Sequence, residues 1–394
     1  MTLNRRRWLV LAAGTLANAC CGAGYAFSVF KKPLIGILGC TDAQVTLAFS
    51  LTVLFLPLGM LISGAVSRKH GPRAAIMIGG LVFGGGVFLS GFSSTLGWFY
   101  ATFGAMSSLG QGMSYGTCIA VSVSWFPDRK GLASGLVVSA LGVGTLVVAP
   151  LAQAMIAGMG VLHTLNALGL GLLLIVVGSS WFVVRPPKEM LPEVGPSEAR
   201  REVGWRDMLT RPVFWAMFAM YLFGAFAGLM VVSQAFDIAQ SMTALTASVA
   251  SLVVGILGAA NSVGRLLWGG VSDRVGRIRA LAAMFAVTAV VMIFLPRLAL
   301  CETGLIVGFV LIGLCYGGYM GTFPSLCADT FGGSGLASNY ALLFLAFAAA
   351  GILGPRAGAV LHASTGSYIA GFWTAAALSG FGLCIALLLQ ARRR

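Results

Sequence analysis

Apolar runs of about 20 residues recur along the whole chain, separated by short polar breaks. A helix of that length crosses the hydrocarbon core of a bilayer, which is about 30 Å thick. Twelve such spans are predicted, over roughly 8–30, 43–66, 74–94, 97–125, 131–158, 161–184, 212–237, 244–271, 279–296, 302–326, 334–361 and 367–390. The pattern predicts an all-α integral membrane protein. The first span is too long for a signal peptide and has no small-residue cleavage site ahead of a soluble domain. One extended polar stretch, 185–211, is rich in Pro, Glu and Arg and reads as a cytosolic linker.

Composition agrees with this reading. The chain has 394 residues, 58% apolar and 9% charged, against about 25% charged residues in soluble domains. The formal charge of +14 could suggest a nucleic-acid partner, but its distribution excludes that reading. Of 25 Lys and Arg, 20 fall at the two termini and in alternate loops: Arg5–Arg7, Arg68, Lys69, Arg73, Arg129, Lys130, six within 185–211, Arg274, Arg277, Arg279 and Arg392–Arg394. Lys31, Lys32 and Arg297 fall on the other side. This asymmetry follows the positive-inside rule and puts both termini in the cytosol, with the protein multi-pass in the cell inner (plasma) membrane. The eight cysteines form no CxxC pair and join no histidine at metal spacing, so no metal or cofactor is expected.

The chain is internally duplicated. Gly64, Arg68, Lys69 and Gly71 recur 205 residues later as Gly269, Asp273, Arg274 and Gly276, and Pro150 recurs as Pro355 at the same offset. Gly131-Leu132-Ala133-Ser134 returns as Gly335-Leu336-Ala337-Ser338. Matches at offsets of 204 and 205 residues, at corresponding places, predict two pseudo-symmetric six-helix halves, 1–184 and 212–394, joined by 185–211. Like-oriented halves of this kind form a substrate site at their interface and rock about it.

Arg265 stands inside an apolar span, in Asn261-Ser262-Val263-Gly264-Arg265-Leu266-Leu267-Trp268. A guanidinium is protonated at every accessible pH. Placing it mid-helix costs roughly 2.5–3.5 kcal/mol even on the lenient insertion scale. A cation kept there faces a polar path and meets an anion. Arg356, about 32 Å along helix 11 from its cytosolic start at ~1.5 Å per residue, reads instead as an anchor at the outer end.

The sequence resembles the major facilitator superfamily. The loop signature G-x-x-x-D-R-x-G-R is complete from Gly269 to Arg277, and its first copy carries Arg68 at the acidic position. Within the superfamily it resembles the oxalate–formate antiporter and bacterial monocarboxylate transporter group. Four segments carry that resemblance: Gly24-Tyr25-Ala26-Phe27-Ser28-Val29-Phe30, Trp125 through Gly131, Asn261 through Arg265, and Ser338 through Phe344. The resemblance implies the major facilitator fold, a gating role for the loop residues Gly64, Arg68, Gly71, Gly269, Asp273, Arg274 and Gly276, and a carboxylate-binding role for Arg265. It also implies a substrate site of Tyr115, Arg265, Tyr316, Phe344 and Phe347, with Leu141 and Met320 as apolar walls. Oxalate-exchanging members add a lysine in helix 11, at the position held here by Phe347, which points to a monoanion. Eukaryotic monocarboxylate carriers have an aspartate where this chain has Asn261.

Tyr25, Tyr115, Tyr316 and Tyr319 are polar-tipped aromatics within spans, able to donate to a carboxylate while packing on its carbon skeleton. No Asp or Glu lies near the middle of a span. A dedicated proton relay needs a buried titratable group. Two routes therefore stand open: the substrate carries its proton past Arg265, or one anion exchanges for another. The expected protein is a monomeric secondary carrier of a small monocarboxylate. The alternatives are an oxalate–formate type antiporter, a multidrug exporter of the same superfamily, and a transporter-like sensor. An exporter of cationic drugs needs an intramembrane acid, a sensor needs a larger output segment, and an enzyme needs a catalytic constellation; none is seen in the sequence.

Overall fold

The computed structural model describes residues 3–187, 203–243, 246–333 and 335–391, without the side chains of residues 25, 26, 28, 42, 43, 247, 248 and 251. Most of the predicted linker, and Arg392–Arg394, lie outside the described residues. Those described are almost wholly helical, with no strand among them.

The chain starts with α1 (Leu3–Cys21), a 3-10 segment (Gly22–Ala26) and α2 (Phe27–Leu38). It continues through α3 (Asp42–His70), α4 (Pro72–Ser90), α5 (Leu96–Phe99), a π segment (Tyr100–Ser107) and α6 (Ser108–Trp125). After α7 (Lys130–Met159) and α8 (Val161–Ser180) come the short α9 (Trp205–Leu209) and α10 (Pro212–Thr243). The last five helices are α11 (Ala247–Val275), α12 (Arg277–Leu298), α13 (Glu302–Phe331), α14 (Leu336–Thr365) and α15 (Ile369–Ala391).

Among the described residues, ten helices are long and apolar enough to cross a membrane, or eleven if the pair Leu3–Gly24 and Val29–Leu38, bent by 46°, is one span. Ten or eleven of the twelve expected spans meet that test. The exception is 97–125, which is split by the π segment and carries Gln111, Tyr115 and several hydroxyls in α6. Nearly all of α6 is buried, so it faces protein and does not need the apolar surface that lipid demands.

The break after α1 has identifiable partners. Gln111 Nε2 donates to the Cys21 carbonyl at 2.7 Å, and Thr145 Oγ1 donates to the Gly22 carbonyl at 3.0 Å. These bonds satisfy carbonyls that the regular helix releases where it tightens into a 3-10 turn.

Turn chemistry repeats along the chain. Gly71 ends α3 at φ 86° and Gly276 ends α11 at φ 94°, a backbone region that side chains disfavour. The N-terminus of α3 has a capping box: Gln44 N donates to Thr41 Oγ1, and Thr41 N donates to Gln44 Oε1.

The chain forms two compact units. The first comprises Met1–Asp128, Ala140–Trp205 and Ala328–Leu342; in it α4 packs along α8 and α3 along α6. The second comprises Arg129–Ser139, Arg206–Cys327 and Leu343–Arg394; in it α12 and α10 pack against α15. In the second unit α11 and α13 meet along Gly313, Gly317 and Gly321. A Cβ on Gly317 would lie 1.9 Å from the Asn261 carbonyl oxygen, and one on Gly321 would lie 2.4 Å from that of Arg265. Glycine at these turns is what lets the two backbones touch.

Candidate functional site

Arg265 belongs to the second unit, at the level where α11 touches α13. It is 6% exposed, and it is the one charged side chain buried among the described residues. Its Nη1 donates to the Val138 carbonyl oxygen at 2.7 Å, and its Nη2 donates to Asn261 Oδ1 at 2.8 Å. Both partners are neutral. Among the described residues no carboxylate pairs with this guanidinium. Arg265 Nε and Asn261 Nδ2 are buried without a hydrogen-bond partner. Asn261 stands one turn before Arg265, and its bond to Nη2 turns the amide so that Nδ2 remains a donor. The site thus presents two uncommitted donors beside an uncompensated positive charge. Such a charge is stable in a low-dielectric interior only when an anion and further hydrogen bonds complete it.

Aromatic rings from three helices form a wall in the same unit. Tyr221 of α10 stacks on Phe323 of α13 at 4.2 Å and lies 5.9 Å from Phe347 and 6.3 Å from Phe344, both of α14. Phe344 and Phe347 are 4.9 Å apart, and Phe347 lies parallel to Tyr316 of α13 at 6.4 Å. Tyr316 and Met320 are neighbours in sequence of Gly317 and Gly321, so they lie at the level of Arg265 along α13. Tyr319 is placed differently. Its hydroxyl shares a 3.2 Å hydrogen bond with Thr288 and its ring lies 4.9 Å from Phe285, both on α12. Those contacts commit Tyr319 to α12 rather than to the ring wall.

The remaining candidates belong to the first unit. Tyr115 on α6 and Leu141 on α7 are buried there. Leu141 also meets the helix break: a Cβ on Gly22 would lie 2.3 Å from its carbonyl oxygen. Tyr25 sits in the 3-10 segment, and its side chain lies outside the described residues. A cavity of about 20 Å³ beside the break, lined by Gly24, Thr52, Ser107 and Gln111 among apolar residues, has room for about one water and none for a carboxylic acid.

The repeated loops differ in chemistry. Asp273 accepts from the main-chain N–H groups of Gly131 and Leu132, both at 2.8 Å, and pairs with Arg277 at 2.6 Å. It therefore caps the positive N-terminal end of α7. Arg274 is exposed in the last turn of α11, and Gly269 lies against the Gly131 carbonyl. In the first copy Arg68 Nη1 donates to Ser338 Oγ at 2.9 Å, and Gly64 lies against Ser338.

Sequence reasoning overlooked Tyr221, Phe323, Gln111 and the Val138 carbonyl. Tyr221 carries the same signal as Tyr316, a polar-tipped aromatic within a span, and Gln111 is the amide one turn before Tyr115. Phe323 looks like any other core phenylalanine. A main-chain carbonyl leaves no trace in the residue type.

Comparison with known proteins agrees with this architecture. The family model described as Major Facilitator Superfamily matches residues 11–355 and 237–394. The chain is 30% identical over 366 residues to the oxalate:formate antiporter of Oxalobacter formigenes, covering 92% of this chain and 86% of that protein. It is 28% identical over 373 residues to monocarboxylate transporter 12-B of Danio rerio, covering 86% and 75%. Among solved structures, the proton:xylose symporter XylE with a bound bromodeoxyglucose superposes with a TM-score of 0.75 at 14% identity, covering 97% of this chain and 95% of that one.

Proposed function

The chain belongs to the Major Facilitator Superfamily, and we propose that it is a secondary carrier of small organic anions, with monocarboxylates as its preferred passengers. It is a multi-pass membrane transporter and not an enzyme. The observation that carries the proposal is the buried Arg265, held by neutral partners while its Nε and the Asn261 amide stay uncommitted. A substrate carboxylate takes these donors and supplies the missing negative charge. The names of two relatives, an oxalate:formate antiporter and a monocarboxylate transporter, support the same substrate class.

Preference for a monoanion rests on Phe347. It lies among Phe344, Tyr221 and Tyr316, where a second cation would be needed to hold a second carboxylate. The ring wall instead suits an apolar tail. The same positive charge repels cationic drugs, which speaks against an exporter of such compounds. In the second unit the proposal assigns substrate contacts to Arg265, Asn261, Tyr316, Met320, Phe344 and Phe347, and in the first unit its candidates are Tyr115, Tyr25 and Leu141. The two halves, 1–184 and 212–394, are the bodies that alternate. Tyr319, the remaining candidate, packs on α12 through Thr288 and Phe285.

Coupling follows from what is buried. Among the described residues no Asp, Glu or His is buried. The proton therefore travels on the substrate, or a counter-anion returns through the same site. The carrier works as a monomer in the cell inner membrane with both termini in the cytosol.

The test is uptake into proteoliposomes of labelled formate, lactate, pyruvate and oxalate. The proposal expects saturable monocarboxylate uptake that is lost in Arg265→Ala while the protein still inserts. Full uptake in that variant removes the proposal. Uptake that acidifies the lumen without an internal anion selects symport over obligatory exchange.

A further inference from the structure

The first copy of the repeated loop gathers cations that no carboxylate among the described residues neutralises. Arg68 and Lys69 lie in the last turn of α3, Arg73 follows Pro72 at the start of α4, and Arg185 follows the end of α8. Arg185 Nη2 donates to the carbonyl oxygen of Ser67 and, at 3.4 Å, approaches that of Arg68. The Arg73 guanidinium lies 3.4 Å over the ring of Trp181. These contacts draw three chain segments of the first unit into one patch. Among the described residues, Arg68, Lys69, Arg73 and Arg185 have no carboxylate partner. The N-terminus of α4 adds the partial positive charge of its free N–H groups.

The second copy of the loop shows what the first lacks. There Asp273 pairs with Arg277 and caps α7, so the cluster carries its own anion. In the first copy Arg68 stands at that position and bonds a serine hydroxyl instead. Among the described residues the patch has no anion of its own.

Its surroundings say which anion. Trp181 is 61% exposed and Phe182 is 51% exposed, both at the end of a membrane-spanning helix. Exposed aromatics at helix ends sit at headgroup level, with apolar rings toward the acyl chains. A free anion in water gains nothing from that apolar flank, whereas a phospholipid engages both parts. We propose that this end of the first unit, formed by Lys69, Arg73, Arg185 and Trp181, binds the headgroup of an anionic phospholipid, with its acyl chains against Trp181 and Phe182. Clusters of basic residues at a membrane surface hold anionic lipids with about 1 kcal/mol per cation, roughly a fivefold change in affinity for each.

Native mass spectrometry of the full chain, released from bilayers of phosphatidylcholine with phosphatidylglycerol, tests this without any transport assay. The wild type is expected to retain phosphatidylglycerol in preference to phosphatidylcholine and to melt at a higher temperature with it. Arg73→Gln with Arg185→Gln is expected to lose that preference by about fivefold for each cation removed. Arg211→Gln with Arg279→Gln, the same charge change elsewhere, is expected to keep it. Lys69→Gln, an exposed position, gives a second reading of about fivefold loss should the double variant fail to insert. Equal loss in the Arg211 and Arg279 variant, no lipid preference in the wild type, or the same stabilisation by inorganic phosphate in detergent each overturns the proposal. So does lipid retention that emerges only when Glu189, Glu193, Glu198 and Glu202 are changed to Gln, since the patch would then belong to the linker.

Discussion

The guanidinium of Arg265 donates to the main-chain carbonyl of Val138 at 2.7 Å, so the buried cation of α11 is tied to the backbone of α7. A carbonyl can hold a guanidinium but cannot neutralise it. An incoming carboxylate offers charge as well as acceptor geometry, and charge-assisted hydrogen bonds are roughly twice as strong as neutral ones. The donor left for it is Nε, which is buried without a partner beside the Val138 bond.

Replacing Arg265 tests charge and geometry separately. Arg265→Ala is expected to lower kcat/KM for uptake by about 10²-fold or more, the scale for truncating a buried charged partner. Arg265→Lys keeps the charge but loses the planar fork, and a loss of about tenfold is expected. Equal uptake by wild type and the lysine variant would show that simple electrostatics suffices.

Asn261→Asp puts a carboxylate one turn before Arg265, where Oδ1 already accepts its Nη2. Ionised, it occupies the guanidinium and excludes substrate. Apparent KM at neutral pH is expected to rise by about tenfold, one interaction of roughly 1.4 kcal/mol. A variant KM that matches wild type at neutral pH would refute this competition.

Phe347→Lys places a second cation among Phe344, Tyr221 and Tyr316. Competition by oxalate against labelled monocarboxylate is expected to strengthen by about tenfold, one interaction of roughly 1.4 kcal/mol. Unchanged competition in a well-inserted variant would detach Phe347 from the passenger's path.

Gly317→Ala forces a Cβ to within 1.9 Å of the Asn261 carbonyl oxygen. Separating α11 from α13 is expected to cost about 1–3 kcal/mol, as overpacking does, and to displace Asn261 and Arg265 together. Thermal unfolding in detergent and uptake should both fall. Wild-type melting would mean that the helices can slide apart at no cost.

Asp273→Asn removes the ion pair with Arg277 and the negative charge at the N-terminus of α7. A loss of about 1–2 kcal/mol is expected from the cap and the charged bond. A melting temperature within error of wild type would show the contact to be inconsequential for stability.

Much of the fold can be read along the chain. The long apolar runs mark the helices, and the repeat of Gly71 as Gly276 anticipates two helix ends with the same left-handed backbone. The span at 97–125 was legible only in part: its hydroxyls and Gln111 mark it as less apolar, but they do not reveal the π segment. Arg265 stood out because a charge in an apolar helix is costly wherever it lies. Tyr319 and Tyr316 carried identical signals, yet one ring meets Phe285 of α12 and the other Phe347 of α14.

Hydropathy, charge and turn preference belong to single residues, so the membrane-spanning helices, the duplication and the buried cation follow from the order of residues alone. Partners belong to pairs of residues far apart in the chain. That Arg265 meets the Val138 carbonyl, and that Tyr221 rather than Tyr319 joins Phe344 and Phe347, depends on how closely and at what rotation the helices approach. Those approaches are set where glycines such as Gly317 and Gly321 remove the side chain that would hold two backbones apart.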